Sequence, residues 1–175
     1  MIQRKGSHTE DKLLLLYAMH GLGPTTAEQL LRFFVDRDEM NYIDLQLALA
    51  ELRENGLLRK QMHPLGVLFQ PSVAGIQTLE LFQKRLPYSR RVSIDDALVG
   101  WRARFSHEQH VVHRIESLED GARLVHLSIM EQDEELLSLT VRTPDDLRAE
   151  RFCKAWSRNA SALYGQILRT LNVDD

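Results

Sequence analysis

Apolar positions recur at helical spacing through most of the first half of the chain and at strand spacing through part of the second. The run Leu13 to Met19 predicts a first helix over 11–20, opened by Thr9 or Glu10 and stopped by Gly21-Leu22-Gly23-Pro24. This helix has no polar face, so it needs cover on more than one side. It is expected to be either a core helix sandwiched between two domains or a dimer interface through Leu14 and Leu15. Thr25-Thr26-Ala27-Glu28 opens a second helix, with a threonine as N-cap and Leu30, Leu31, Phe34 and Val35 as its buried stripe. A third helix starts at about 40 or 41 and ends at Asn55-Gly56, where glycine takes the left-handed position without a Cβ clash. Leu45, Ala48, Leu49 and Leu52 form its core side. Two strands follow over 57–70, joined by a tight turn at Pro64-Leu65-Gly66, and a further helix over 72–85 presents Leu79, Phe82 and Leu86.

Helix, strand, turn, strand is the back half of a winged helix-turn-helix, in which the third helix is offered to DNA and the hairpin is the wing. The second half reads differently. Ser93-Ile94-Asp95-Asp96 starts a helix to about 105 with Ile94, Ala97, Leu98, Trp101 and Phe105 as its stripe. Three strand-like runs follow, 109–116, 122–130 and 136–142, with a hairpin turn at Glu119-Asp120-Gly121. Short connections make them an antiparallel meander. Thr143 as N-cap and Pro144 at N1 open a long final helix, whose stripe of Phe152, Trp156, Ala160, Leu163, Ile167 and Leu171 is expected to cover one face of the sheet. The predicted fold is therefore α+β: an N-terminal winged helix-turn-helix, then a three-stranded antiparallel sheet packed on a long C-terminal helix. The predicted divisions are a flexible arm over 1–9, a winged-helix domain over 10–86, a linker over 87–92 and an α+β dimerisation or sensor domain over 93–175.

Composition adjusts this picture. The 175 residues are 43% hydrophobic and 27% charged, as in an ordinary globular chain. The net charge of −3 argues against a strongly basic nucleic-acid binder. The charge is uneven, however: residues 1–91 hold 12 Lys+Arg against 10 Asp+Glu, and the remainder 10 against 15. That asymmetry fits a mildly basic module followed by an acidic one. Cys153 is the one cysteine, so no intrachain disulfide forms and a reducing, cytoplasmic setting is expected. The longest apolar run is too short to span a bilayer, so no membrane partner is expected.

The chemistry is mostly negative. The outward side of the third helix carries Ile43, Leu47, Ala50, Glu51 and Glu54, with only Asn41, Tyr42, Gln46 and Arg53 suited to nucleic acid. Carboxylates there repel phosphates. The hairpin adds Arg59, Lys60 and His63, and the strongest basic cluster is Lys84, Arg85, Arg90 and Arg91 around Pro87. That cluster reads as a solvated linker or as a phosphate contact beside a wing. His107, His110, His113 and His126 invite a metal reading, but on a strand His110 and His113 point to opposite faces, so no metal is assigned. Cys153 at the edge of an apolar stripe reads as a buried inert thiol. No phosphate loop, nucleophile elbow or carboxylate pair stands out, and neither catalysis nor a cofactor is expected.

Taken together, Asp11 to Tyr17, Met40-Asn41-Tyr42, the stretch Leu49 to Leu57 and the ending Trp156 to Leu168 resemble a bacterial family of unknown function. Its members look like winged-helix regulators with an added C-terminal α+β half. The stretch Phe69-Gln70-Pro71-Ser72, with Gly75 and Leu79, is similar to the wing-to-helix junction of winged-helix repressors. Ser72 stands where threonine is usual, and Val73 and Ala74 stand where basic residues are usual. The resemblance implies DNA binding but brings no activity, substrate or catalytic residue.

Two functional expectations follow. The first is a dimeric DNA-binding transcriptional regulator. It would use Tyr42, Gln46 and Arg53 at the groove, and Lys60, His63, Lys84, Arg85, Arg90 and Arg91 at phosphates. The second is an interaction module that keeps the fold but turns its third helix to protein. A homodimer is expected because Leu14, Leu15 and the patch Ile43, Leu47 and Ala50 ask for more cover than one small domain provides. The sequence points to no particular small-molecule effector.

Overall fold

The structure is a computed structural model that describes residues 8–131 and 134–171. Among the described residues the chain is mixed α+β, with six α-helices and two three-stranded antiparallel sheets. It divides into two compact units, Met1–Phe105 and Ser106–Asp175. Most of the expected arm lies outside the described residues, while His8 and Thr9 already belong to the first helix. No helix among the described residues is long and apolar enough to cross a membrane.

In the first unit, α1 (His8–Leu22) has Leu14, Leu15, Ala18 and Met19 fully buried within its own chain. The apolar helix is thus a core helix, and Leu14 and Leu15 cannot serve as the expected dimer interface. β1 (Thr25–Thr26) is a two-residue strand where the sequence pattern predicts a helix cap alone. Thr26 does both jobs: it pairs with Leu68 and also caps α2 (Ala27–Val35) in a reciprocal capping box with Gln29. The buried side of α2 is Gln29, Leu30, Phe33 and Phe34, whereas Val35 is exposed. Phe33 takes the place expected of Val35 because it reaches an edge-to-face stack with Trp101, centroids 5.7 Å apart.

Asn41 caps α3 (Tyr42–Glu54) by accepting from the Asp44 amide at 2.9 Å. The buried residues of α3 are Leu45, Ala48, Leu49 and Leu52, the side that helical spacing indicates. β2 (Leu58–His63) and β3 (Gly66–Pro71) form a tight hairpin, and the sheet order is β1-β3-β2. Ser72 caps α4 (Val73–Phe82), which runs into a 3-10 turn at Gln83–Arg85. The start of α4 lies hard against the chain leaving α3. Ser72 donates its amide to the Leu57 carbonyl at 2.9 Å and its hydroxyl to the Gly56 carbonyl at 2.7 Å. A Cβ on Gly75 would stand 2.1 Å from that same Leu57 oxygen, so only glycine permits the approach.

The expected linker over 87–92 is instead the first turn of α5 (Tyr88–His110). Pro87 follows an extended Leu86 and its carbonyl accepts the amides of Arg90 and Arg91. A proline that ends one helix can also pre-set the start of the next. The division between units falls within α5, after Phe105, and not at the proline.

The second unit is a meander, β4 (Val111–Ser117), β5 (Arg123–Glu131) and β6 (Glu134–Thr143), in the order β4-β5-β6. α6 (Asp146–Thr170) packs on one face. Its N-cap is Asp145, accepting from the Arg148 amide at 2.7 Å, and not the expected Thr143. Arg123 clamps the carboxylate of Asp146 through Nε at 2.6 Å and Nη2 at 2.9 Å. The buried stripe of α6 is Ala149, Cys153, Trp156 and Ala160. Phe152 and Leu163 lie at its margin and Leu171 is exposed, so the stripe is rotated from the one expected. Trp156 sets the rotation by donating its indole N–H to the Val112 carbonyl at 3.1 Å.

Candidate functional site

The exposed part of α3 and the adjoining hairpin hold the features with chemical potential in the first unit. Tyr42, Ile43 and Leu47 are 59%, 73% and 45% exposed, which leaves an aromatic and aliphatic strip on the outer side of the helix. Gln46 and Ala50 are half-buried beside it. At the C-terminal end of α3, Arg53 is exposed and lays its guanidinium over the Phe69 ring of β3, 5.4 Å from the centroid. Lys60 is the register partner of Phe69 across the hairpin. The result is a concavity of about 410 Å³ lined by Ala50, Arg53, Glu54, Arg59, Lys60 and Phe69, among others. Arg53 and Lys60, expected at groove and phosphate respectively, are thus brought together. Arg59 joins them, and Glu54 is the acid among them.

Glu51 does not join that surface. Its carboxylate accepts from Lys12 Nζ at 2.8 Å and meets His8 Nε2 at 2.5 Å, both on α1. The hydrogen bond from Lys12, with that from His8, holds the Glu51 carboxyl below the usual glutamate range. One of the two outward carboxylates that would oppose phosphate is therefore spent on tying α3 to α1. His63 is also engaged locally, since its Nδ1 accepts the Leu65 amide at 3.1 Å across the hairpin turn.

The expected basic cluster separates. Lys84 and Arg85 are exposed on the 3-10 turn, with Arg85 over the Phe82 ring at 4.6 Å. Arg85 borders a second concavity of about 480 Å³ whose apolar wall includes Leu13, Leu16, Leu52 and Leu57. Arg91 is half-buried over the Tyr88 ring at 5.7 Å. Arg90 is no surface cation: it is 7% exposed. It donates through Nε to Glu39 Oε2 at 3.1 Å and through Nη2 to the Glu39 carbonyl at 3.0 Å, and Nη1 lies 3.7 Å from Asp11 Oδ1. Asp11 and Glu39 are themselves buried. The phosphate role expected of Arg90 is replaced by a structural one, because a guanidinium buried between two carboxylates cannot reach a ligand in water. Sequence reading missed this cluster. Pro87 as a helix start places Arg90 in the first turn of α5, but nothing local names Asp11 and Glu39 as its partners.

In the second unit, His107 and His110 lie at the end of α5, and His113 and His126 lie on paired strands. His126 contacts Glu116 at 3.1 Å and Thr140 at 3.3 Å. No group of three or more possible metal ligands converges among the described residues. Cys153 is 6% exposed, and burial pushes its thiol above the usual cysteine value, away from a nucleophilic thiolate.

The two units together fall within one family. The chain belongs to the domain-of-unknown-function family DUF4364, whose sequence profile matches residues 11–171. No curated protein and no solved structure matches it.

Proposed function

We propose that the first unit is a winged helix-turn-helix that binds duplex DNA, and that the protein is a transcriptional regulator. The observation that carries this reading is the meeting of Arg53 from α3 with Arg59 and Lys60 from β2 around one concavity. Cations from a helix and from the neighbouring hairpin, held on one surface, suit a phosphate backbone that rises past both. Tyr42 and Gln46 lie at the opposite end of α3, where base edges would be met. The pairing of Glu51 with Lys12 supports the same reading by removing one repulsive carboxylate.

Salt-titrated binding to random-sequence duplex tests it. Binding is expected at about 50 mM salt, with log affinity falling by about 0.9 per neutralised phosphate for each log of salt. Lys60→Ala is expected to reduce that slope by about one unit without changing sequence preference, and Gln46→Ala to change preference and leave the slope alone. Absence of binding to any duplex at low salt sinks the reading. A second reading is favoured by one observation, the exposure of Ile43 and Leu47 on the outer side of α3. On that reading the helix docks on a partner protein, DNA is ignored, and Leu47→Arg abolishes an assembly that Lys60→Ala leaves intact.

A further inference from the structure

The second unit ends in an open sheet edge. β6 is ten residues long and, among the described residues, no strand pairs with its outer side. Natural edges of this length are blunted by lysine, proline or inward charge. Between 134 and 142 β6 has no lysine and no proline. Its one irregularity is a bulge: Ile129 pairs with Leu137 and Met130 with Glu135, so Leu136 is looped out of the ladder. Leu137, Leu139 and Val141 face the α6 side, where they are only half-buried.

We propose that β6 pairs antiparallel with β6 of a second copy of this chain, about a two-fold axis at Leu139, to make one continuous six-stranded sheet. The register follows from the residues. Shifts by one residue would set the row of Leu137, Leu139 and Val141 against the polar row and are excluded by the period of two. Of the registers left, centring on Leu139 aligns Leu137 with Val141 and Ser138 with Thr140. Because Leu136 is looped out, it also brings Glu135 opposite Arg142, once at each end. Glu135 accepts from the Ser128 hydroxyl on the face away from α6, and Arg142, which alternation places on that face, pairs with Asp120. With Leu136 skipped, centring on Ser138 carries Arg142 past the first residue of β6, Glu134, and shortens the ladder, and centring on Thr140 sets it against Ser138. The edge is therefore complementary to itself in hydrogen bonding, in its apolar row and in charge, and the two-fold closes the assembly. This surface belongs to the second unit and does not rest on DNA binding by the first. A dimer mass reads one, and a DNA titration the other.

Light scattering of the full chain at micromolar concentration is expected to give twice the 20.2 kDa chain mass. In a Cys153→Ala background, Leu139→Cys is expected to form a disulfide-linked dimer on mild oxidation. Residues opposite one another across an antiparallel pair have Cα atoms roughly 4.5–5.5 Å apart, within disulfide reach. Ser138→Cys, displaced from its own mate along the ladder, is expected to cross-link far more slowly. Glu135→Arg and Arg142→Glu are each expected to weaken the dimer, and the double swap to restore it. A monomer at every concentration overturns the proposal. So does a dimer in which Leu139→Cys cross-links no faster than Ser138→Cys, or in which the double swap is as weak as either single change.

Discussion

The two units solve the problem of covering apolar surface in opposite ways. The first wraps the apolar run of α1 in other helices and a small sheet until Leu14, Leu15, Ala18 and Met19 see no solvent. It can do so because α3, α4 and β3 all reach α1. It then buries charge as well, closing Asp11 and Glu39 around Arg90. The second unit has one helix for a three-stranded sheet. α6 seals Val125, Leu127 and Ile129 in the middle strand, while Leu137, Leu139 and Val141 of the edge strand remain half-covered. α6 sits chiefly over β4 and β5, so the edge strand β6 keeps its half-exposed row. Layer count thus decides where unfinished surface is left. In the first unit it is the outer side of a helix and its hairpin, and in the second it is a strand edge.

The sharpest way to break this contrast is to open the buried charge cluster. Arg90→Ala strands two buried carboxylates and is expected to cost about 3–5 kcal/mol. The two tryptophans report the units separately, Trp101 in the first and Trp156 in the second. Their indole N–H resonances are expected to respond unequally, with the Trp101 signal lost at lower denaturant. Equal loss of both would show the units to be one cooperative body. Next in size is Trp156→Phe, which leaves the buried Val112 carbonyl without its donor at a cost of about 1–3 kcal/mol. Denaturant unfolding followed at Trp101 is expected to change little in that variant.

The smallest effect sharpens the first unit alone. Glu51 has a folded-state pKa below its unfolded one, through the hydrogen bonds from Lys12 and His8. Its contribution is therefore fully present above the ordinary glutamate value of about 4.3 and lost as pH falls from there through the depressed value. Glu51→Gln is expected to flatten the acid limb of the stability curve read at Trp101 and to leave the curve read at Trp156 unchanged. The same acid slope in both proteins would remove Glu51 as its source.

Much of the architecture is written locally. The core side of α3 follows from Leu45, Ala48, Leu49 and Leu52 at helical spacing, and the hairpin from Pro64-Leu65-Gly66 between two strand-forming runs. The meander follows from short connections around Asp120-Gly121 and from alternation in β5 and β6. Each of these is set by backbone stereochemistry and by a period of 3.6 or 2, which act between neighbours in the chain. The candidate site was legible only as single residues. Arg53 and Lys60 could be named, but not their meeting over Phe69, which depends on how β2 and β3 align beside α3.

Other features were decided by contacts between distant segments. Arg90 reads as one cation in a basic run, and only the arrival of Asp11 and Glu39 makes it a buried tie. Glu51 reads as an outward acid until Lys12 of α1 comes within hydrogen-bonding distance. Thr25 and Thr26 read as a cap until β3 lies beside them. Leu136 reads as a plain member of a strand until pairing with β5 excludes it from the ladder. Chain order by itself determined which segments are helix or strand and which side of most is apolar, because those choices rest on local sterics and periodicity. Which charges are hidden and which edge stays open was decided by tertiary structure alone. Burial and pairing depend on segments tens of residues apart, and no local pattern encodes their meeting.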